Sequence, residues 1–348
     1  MLLKKSARMP KEGITKILIR GTNWIGDAVL TLPAIASVRA AYPQARISIL
    51  AKPLVADVYK LFTAADEIII YKFDNPLGVF RLASILRKKK FDAAILLQNA
   101  IEAAIMVCAA RIKLRAGYNS DGRGFLLTHS IKRTKEIRKV HQIDYYLEMV
   151  KALGCAPVGR EMHLQARINR VTAQNTLHEF IPGPEKPVVG IAPGATYGPA
   201  KRWFPERFAE VADKISANYG CHIVLLGGKD DWKVAQQVCA KSSTDLINLA
   251  GKTTLREAIY LISQCVLFIS NDSGLMHIAG ALNVPTVAIF GSTNPLTTSP
   301  VGEKIKIVRE EVSCSPCLKE TCPTDFRCMD LVKVDDVLSA ARDILKCN

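Results

Sequence analysis

The stretch that decides the fold is Ile17-Leu18-Ile19-Arg20-Gly21-Thr22-Asn23-Trp24-Ile25-Gly26-Asp27-Ala28. Its apolar start predicts a buried strand that ends at Arg20, its glycines predict a turn, and we expect a helix from about Ala28. Ligands of parallel α/β sheets bind beyond the carboxyl ends of the strands, where helix N-termini present unpaired N–H groups. The stretch therefore predicts a strand, a functional turn and a helix.

This turn differs from the two familiar phosphate-binding loops. It lacks the G-x-G-x-x-G pattern of dinucleotide-binding proteins, and it has Asp27 and Ala28 where a Walker loop needs Lys followed by Ser or Thr. A carboxylate at that position would repel a phosphate group. Asp27 fits either a helix cap or a general base at the mouth of the sheet, and the residue types leave both roles open.

Short β-branched runs alternate with amphipathic stretches along the rest of the chain, as is typical of parallel α/β sheets. A helix expected at 171–180 is followed by the segment 181–187, whose three prolines and one glycine predict a linker. We therefore expect two Rossmann-like domains, 1–180 and 181–348, the second with a Cys-rich loop at 314–328 and a C-terminal helix. The predicted strands lie at 14–20, 46–51, 67–72 and 93–97, and then at 187–192, 222–226, 266–270, 286–290 and 304–308.

The chain is basic, and its charge is unevenly distributed. Its 348 residues suffice for about two domains, and the formal net charge is +15. Residues 1–180 hold 29 Lys and Arg against 14 Asp and Glu, whereas residues 181–348 hold 18 of each. The basic runs at 87–90 and 132–135 supply much of the excess, either as solvated helix ends or as contacts with an anionic partner.

The composition excludes several classes of protein. With 49% hydrophobic and 23% charged residues, the chain is expected to be globular rather than disordered. No apolar run approaches the ~20 residues that cross a bilayer, and charged residues interrupt the N-terminus before any signal-like apolar region. We expect a cytoplasmic protein in which the ten cysteines are free thiols rather than a disulfide framework.

The segment 193–203 follows the first predicted strand of the second domain. Its glycines and prolines allow the backbone to approach a ligand closely, and the cations Lys201 and Arg202 follow. Thr196 would offer a hydroxyl and Lys201 an ammonium group to oxygens that carry developing negative charge. The segment is interpreted as a diphosphate-binding loop, with a solvated surface loop as the alternative.

A second polar turn, Asn271-Asp272-Ser273-Gly274-Leu275-Met276-His277, follows another strand and opens a helix expected at 274–282. Ser273 and Gly274 would expose N–H groups at the start of that helix, which suits phosphate. Asp272 would accept hydrogen bonds from sugar hydroxyls, and His277 would face the same mouth. The alternatives are a helix cap for Asp272 or Ser273 and a structural role for His277.

Four cysteines, Cys314, Cys317, Cys322 and Cys328, lie within 15 residues. Four thiols at this density can hold zinc tetrahedrally, although the spacing is not that of a paired zinc ribbon. Structural zinc, free thiols and a redox-labile disulfide all stay open. The position after the last predicted strand favours a structural loop over a catalytic centre.

Taken together, three segments resemble those of the ADP-heptose:lipopolysaccharide heptosyltransferases, and of the heptosyltransferase II type in particular. The resemblance covers nearly the whole chain and is most specific at Gly26-Asp27 with Leu32-Pro33, at 193–203 and at 271–277. It implies a GT-B architecture, in which two Rossmann-like domains face each other across a cleft. The N-terminal domain would bind the acceptor and the C-terminal domain the nucleotide sugar.

The resemblance also implies an activity and a set of partners. Heptose would pass from ADP-heptose, with inversion, to a heptose of the lipopolysaccharide inner core, at the cytosolic face of the inner membrane and in peripheral contact with its anionic leaflet. Asp27 would be the general base, and Lys201 with the helix start at 273–274 would stabilise the leaving diphosphate without a required cofactor. The remaining implied contacts are Thr196, Asp272, Ser273, Gly274 and His277 for the donor and Asn23, Trp24 and Gly26 for the acceptor.

Other classes of function compete with this one. A nucleotide-sugar 2-epimerase, or a transferase with another acceptor, would use the same scaffold, because a fold does not determine its chemistry. A nucleic-acid-binding protein would use the basic first half but would not need the turns of the second, so no nucleic-acid partner is expected. A dehydrogenase is disfavoured because both halves lack the dinucleotide fingerprint.

Overall fold

The computed structural model describes residues 8–72, 75–162, 168–183 and 185–346. It divides into two compact units, Met1–Arg160 and Glu161–Asn348. The boundary thus lies about 20 residues before the predicted one at 180. The reason is that the helix Arg170–Phe180 packs against the helix Leu255–Ser263 of the second unit, so the proline-rich segment 181–187 connects two elements of that unit.

Within the described residues, the first unit is built around one six-stranded parallel sheet with the order β3-β2-β1-β4-β5-β6. The order reverses beside β1, which has β2 on one side and β4 on the other. The strands are β1 (Lys16–Arg20), β2 (Arg46–Ala51), β3 (Glu67–Ile70), β4 (Ala93–Leu96), β5 (Leu114–Tyr118) and β6 (His129–Ile131). The helices are α1 (Ile25–Leu30), α2 (Leu32–Ala41), α3 (Pro53–Phe62), α4 (Pro76–Lys89), α5 (Ile101–Ala109) and α6 (Gln142–Ala152).

The second unit repeats this topology within the residues that are described. Its six parallel strands have the order β12-β11-β10-β7-β8-β9, so the order again reverses between the first and fourth strands of the unit. The strands are β7 (Val188–Ala192), β8 (His222–Leu225), β9 (Ile247–Asn248), β10 (Cys265–Asn271), β11 (Thr286–Ile289) and β12 (Ile305–Val308). The helices are α7 (Arg170–Phe180), α8 (Pro205–Tyr219), α9 (Trp232–Lys241), α10 (Leu255–Ser263), α11 (Gly274–Ala281), α12 (Pro295–Thr298), α13 (Arg327–Asp330) and α14 (Val334–Lys346).

The central strands are buried on both faces, which explains their continuous apolar sequence. Ile17, Leu18 and Ile19 of β1 have no exposed surface. In the parallel register, Ile17 pairs with Ile47 of β2 on one side and with Ala93 of β4 on the other. The apolar runs read from the sequence are therefore strands because helices cover both sides of the sheet.

Local sequence also explains where several helices begin. The Asn75 side chain accepts a hydrogen bond of 2.7 Å from the Gly78 N–H, and proline follows at the first position of α4. Before α10, the Thr254 hydroxyl accepts from the Glu257 N–H at 3.3 Å, while the Glu257 carboxylate accepts from the Thr254 N–H at 2.7 Å. This reciprocal capping box satisfies two N–H groups that a helix start leaves unpaired.

The predicted fold class, α/β with two Rossmann-like parallel sheets, is confirmed, and each predicted strand is present. The strands β5, β6 and β9 were not predicted. The sequence of β5 is Leu-Arg-Ala-Gly-Tyr, which has no β-branched residue, and β6 and β9 are only three and two residues long. In the part of the chain that the structure describes, no helix combines the length and apolar character needed to span a membrane.

Candidate active site

In the first unit, the candidate site is the turn between β1 and α1, beside the point where the strand order reverses. Tyr59 of α3 lies directly against it: a Cβ atom at Gly21 would lie 2.7 Å from the Tyr59 ring. The Tyr59 hydroxyl accepts a hydrogen bond of 3.0 Å from the Thr22 N–H. Burial raises the pKa of this phenol, so the hydroxyl stays neutral and keeps the turn in place.

Arg20 holds the same turn from the other side. Its side chain is almost fully buried, and its guanidinium donates to the Asn23 side-chain oxygen at 2.9 Å, to the Gly21 carbonyl and to the Tyr71 hydroxyl. Asn23, which was predicted to contact the acceptor, is therefore oriented by a buried cation. Arg20 itself was missed, although a charge that ends an otherwise apolar strand is a signal the sequence carries.

Asp27 is the third residue of α1, because the helix begins at Ile25 rather than at Ala28. Asp27 is therefore not the N-cap residue of α1, because Trp24 occupies that position. A carboxylate in the first helical turn is still favoured by the helix dipole. Burial, together with the charge of Asp27, raises the pKa of Tyr146 well above its ordinary value, so this phenol is neutral beside the carboxylate. Trp24 is 59% exposed and Gly26 is half-buried.

In the second unit, Lys201 and Asp272 meet where the strand order reverses between β7 and β10. The Lys201 Nζ lies 2.7 Å from Asp272 Oδ2, with the two side chains 14% and 5% exposed. The Thr293 hydroxyl donates to the same Oδ2 at 2.7 Å, and the ammonium lies 4.8 Å from the centre of the Tyr197 ring. The structure thus brings together two predicted donor residues and adds two that were not predicted, Thr293 and Tyr197.

The loop 193–203 is tied to the sheet by Asn271. Its side-chain oxygen accepts from the Trp203 N–H at 3.0 Å, and its side-chain nitrogen donates to the Pro193 carbonyl at 2.8 Å. Trp203 is buried, packs edge-on against Phe208 at a centroid distance of 5.1 Å and donates through Nε1 to the Val332 carbonyl. One asparagine therefore joins both ends of the loop to β10, and Lys201 lies between them.

The other predicted donor residues occupy different surroundings. Thr196 is exposed at the outer part of the loop. Ser273 is the N-cap residue of α11, and its hydroxyl lies 3.0 Å from that of Ser270, so Ser273 and Gly274 form the start of the helix next to Asp272 as expected. His277 lies one turn later and is 5% exposed, which is the same exposure as that of Asp272.

Asp231 is a further carboxylate that the sequence analysis did not single out. One of its oxygens accepts from the Gly228 N–H at 2.9 Å, while its other oxygen would lie 2.0 Å from a Cβ atom at Gly194. Burial raises the pKa of this carboxyl group. The signal was present in the sequence, because two adjacent acids, Asp230 and Asp231, follow the second strand of the unit.

The cysteine loop belongs to the second unit as well. Cys314 is exposed, Cys317 and Cys322 are half-buried, and Cys328 is buried at α13; the nine cysteines in the described residues are all free thiols. Within those residues, no three His, Cys, Asp or Glu side chains are already gathered closely enough to hold a metal ion. Cys347 lies outside the described residues.

Two Rossmann-like units, each with charged side chains where its strand order reverses, are consistent with an enzyme that acts on nucleotide sugars. The comparison with known families agrees with this class. The model of glycosyltransferase family 9 (heptosyltransferase) matches residues 79–326, and the chain belongs to this family.

Characterised relatives cover most of the chain. It is 30% identical to lipopolysaccharide heptosyltransferase 2 of Escherichia coli K12, over 84% of this chain and 88% of that protein. It is 32% identical to lipooligosaccharide heptosyltransferase 2 of Haemophilus ducreyi over the same shares. The solved structure of E. coli ADP-heptose lps heptosyltransferase II superposes with a TM-score of 0.84 at 28% identity, covering 95% of this chain and 98% of that one.

Proposed function

We propose that this chain transfers L-glycero-D-manno-heptose from ADP-heptose to a heptose of the lipopolysaccharide inner core, with inversion at the anomeric carbon. The observation that carries the proposal is the likeness to heptosyltransferases 2, which extends over both units, together with a charged turn at the reversal point of each sheet. Membership of family 9 disfavours the epimerase alternative.

Asp27 acts as the general base in this proposal. Its carboxylate takes the proton of the acceptor hydroxyl as that oxygen attacks the anomeric carbon from the side opposite the leaving ADP. Asn23 and Trp24 contact the acceptor beside it, and the Gly26 backbone lets the sugar approach. This proposal is supported by the hydrogen bonds that hold the turn in one conformation, from Arg20 to Asn23 and from the Thr22 N–H to Tyr59.

Lys201 stabilises the ADP leaving group. Its ammonium has three N–H donors, and one of them is directed at Asp272. We assign the other donors to oxygens of the diphosphate. Both bonds received by Asp272 fall on Oδ2, and we assign Oδ1 to a hydroxyl of the donor sugar. Thr196, His277 and the N–H groups at Ser273 and Gly274 complete the donor contacts, with the helix dipole of α11 favouring the diphosphate.

This set of donors makes a divalent metal unnecessary in the transfer step. The expected result is that the rate of transfer does not change when Mg²⁺ is added. A rate that rises in proportion to bound Mg²⁺ would reject the assignment of the diphosphate to Lys201 and α11.

An anionic acceptor at a membrane surface fits the first unit. Helix α4 exposes Leu77 by 82% and Phe80 by 58%, and it ends in the basic run at 87–90. An apolar edge beside a basic cluster is suited to an anionic lipid surface. We propose that the chain works at the cytosolic face of the inner membrane through this helix. Flotation with vesicles that contain anionic lipid should decrease as salt rises, whereas absent or salt-insensitive binding would exclude this contact.

The test of the whole proposal is a donor screen with the purified chain and a heptose-bearing lipopolysaccharide core. ADP-heptose is expected to give a product larger by one heptose, while UDP-sugars give none. A core that lacks the first heptose is the matched acceptor control and should give no product. Release of a C2-epimerised sugar without acceptor would establish the epimerase alternative instead.

A further inference from the structure

The cysteine loop is attached directly to the loop that carries Lys201. The Ala200 N–H donates to the Glu320 carbonyl at 3.0 Å, and the Tyr197 hydroxyl donates to the Leu318 carbonyl at 2.7 Å. Gly198 has φ 156°, and a Cβ atom there would lie 2.3 Å from the Glu320 carbonyl oxygen. The two loops are therefore joined by two hydrogen bonds and one close backbone contact.

All four cysteines of the loop line one cavity of about 260 Å³. Ala200 and Ser292 form part of the same wall, and the Ser292 hydroxyl is buried without a hydrogen-bond partner. Cysteine is among the most buried residue types and normally packs as a small apolar group. Here four thiols instead line one cavity.

The surroundings of this cavity suit thiolates. The Phe326 N–H donates to the Cys322 sulfur at 3.3 Å, and the Thr324 hydroxyl lies 3.5 Å from the same sulfur. Lys319 and Arg327 line the same cavity; Arg327 also forms an ion pair of 2.9 Å with Asp325, so most of the positive charge comes from Lys319. A divalent ion held by four thiolates carries a net charge of about −2, which such cations and N–H donors compensate.

We propose that Cys314, Cys317, Cys322 and Cys328 bind one zinc ion tetrahedrally, and that this centre holds the Lys201 loop in place. Binding releases the thiol protons to solvent and draws the sulfurs inward to ~2.3 Å from the metal. The described arrangement has the thiols around the cavity but not yet at ligand distance. Metal affinity is thus coupled to closure of the loop, as in other small metal-binding segments.

Metal content tests the site independently of transfer activity. The full chain, produced with zinc in the medium, should contain close to one zinc per chain by elemental analysis. After removal of the metal under reducing conditions, Co²⁺ should give the visible absorption of a tetrahedral thiolate complex. The double variant Cys314→Ser/Cys317→Ser should lose both signals, while Cys108→Ser, in the first unit, should keep them.

Three results would overturn the site: a chain that binds neither ion, a chain with several irons and inorganic sulfide, or a disulfide between two of these cysteines in the reduced preparation. The Co²⁺ titration of the unmodified chain keeps the test valid if the double variant fails to fold.

The link to the Lys201 loop rests on the proposed function and has its own readout. Removal of zinc should weaken ADP binding by roughly tenfold in calorimetry, since a displaced ammonium loses a charged hydrogen bond. Unchanged ADP affinity with the zinc lost would leave the metal site standing and reject the link.

Discussion

The turn after β1 and the turn after β7 occupy the same place in two sheets of the same topology, yet they carry opposite charge. In the first unit, a carboxylate at Asp27 follows a turn that is held by Arg20 and Tyr59. In the second, an ammonium at Lys201 is held by Asp272 and its loop by Asn271. In the first unit the support is by hydrogen bonds, from Arg20 to Asn23 and from Thr22 to Tyr59. In the second unit it is by an ion pair between Asp272 and Lys201 and by the hydrogen bonds of Asn271.

The comparison shows that the fold determines where a site lies in each sheet, while the side chains at that place determine its charge and reactivity. We propose that the carboxylate in the first helical turn accepts a proton and that the paired lysine binds the departing diphosphate. A transfer reaction needs both, so each change below tests whether one turn does the work assigned to it.

The largest effect is expected for Asp27→Asn. The amide has nearly the same shape but cannot take the acceptor proton, so kcat should decrease by roughly 10²–10⁴-fold. ADP affinity should be unchanged, because the proposed donor contacts lie in the other unit. The measurement is steady-state transfer beside calorimetry with ADP.

Asp57→Asn is the matched control, since Asp57 is paired with Lys60 on the surface of α3 and should leave transfer unchanged. If the Asp27 variant retained more than about a tenth of kcat, a different base would be required.

The second effect concerns Lys201→Met, which keeps the length of the side chain but removes the charge. We expect kcat to decrease by roughly 10²–10³-fold, because a preorganised donor to the leaving group is lost. ADP should also bind more weakly, which distinguishes this variant from the one at Asp27. Stopped assays of transfer and ADP titration measure the two effects.

Lys214→Met provides the control, because Lys214 pairs with Glu210 on the exposed side of α8. Equal ADP affinity for Lys201→Met and the unmodified chain would place the diphosphate elsewhere.

The third effect is on stability and compares the supports of the two turns. Asn271→Ala leaves the buried Trp203 N–H and Pro193 carbonyl without partners, which should cost roughly 1–3 kcal/mol in the free energy of unfolding. Tyr59→Phe removes an acceptor of the Thr22 N–H, together with longer hydroxyl contacts to Thr22 and Thr31 at 3.2 and 3.5 Å, and should cost less. Denaturant unfolding followed by tryptophan fluorescence measures both.

Gln236→Ala serves as the control and should cost little, because Gln236 is exposed and its side-chain contact with Asn248 is a long one of 3.5 Å. A larger cost for Tyr59→Phe than for Asn271→Ala would reverse the ranking of the two supports.

The sequence predicted the strands better than it predicted the contacts around the candidate site residues. Buried parallel strands are mostly apolar, so the local sequence is enough to predict strands such as β2 at 46–51. Strand β5 forms because it pairs with β4 and β6, and its local sequence does not predict this pairing. The unit boundary depends on where α7 packs, and that contact is also non-local.

The same limit applies to the site. Asp27, Lys201 and Asp272 were identified because each follows a predicted strand, where ligands of such sheets bind. Their partners could not be identified in this way. The Lys201–Asp272 pair joins residues 71 positions apart, and the Tyr59 hydroxyl reaches Thr22 across 37. Only the folded sheet order brings these groups together.

The smallest effect is a pH dependence at Asp231, which lies beside the donor loop. Burial raises its folded-state pKa above the ordinary value of 3.8, so the folded chain holds this proton more tightly than the unfolded chain. Its contribution to stability is present below that value and is lost as pH rises through the folded pKa. Asp231→Asn cannot ionise, so its free energy of unfolding should exceed that of the unmodified chain at neutral pH, with the difference shrinking on acidification.

Asp213→Asn should show the opposite sign. Burial raises the pKa of Asp213, but hydrogen bonds from Ser242, Ser243 and Thr244 outweigh it and lower the pKa to about 2. The ionised group therefore stabilises the fold above the ordinary pKa of 3.8, and this stabilisation is lost as pH falls towards about 2. The free energy of unfolding of each variant, relative to that of the unmodified chain, should be measured between about pH 2 and neutral pH. The two differences should change with pH in opposite directions, because Asp231 is buried while Asp213 receives several hydrogen bonds. Two slopes with the sign expected for Asp231 would show that burial controls both groups, and two with the sign expected for Asp213 would show that hydrogen bonding does.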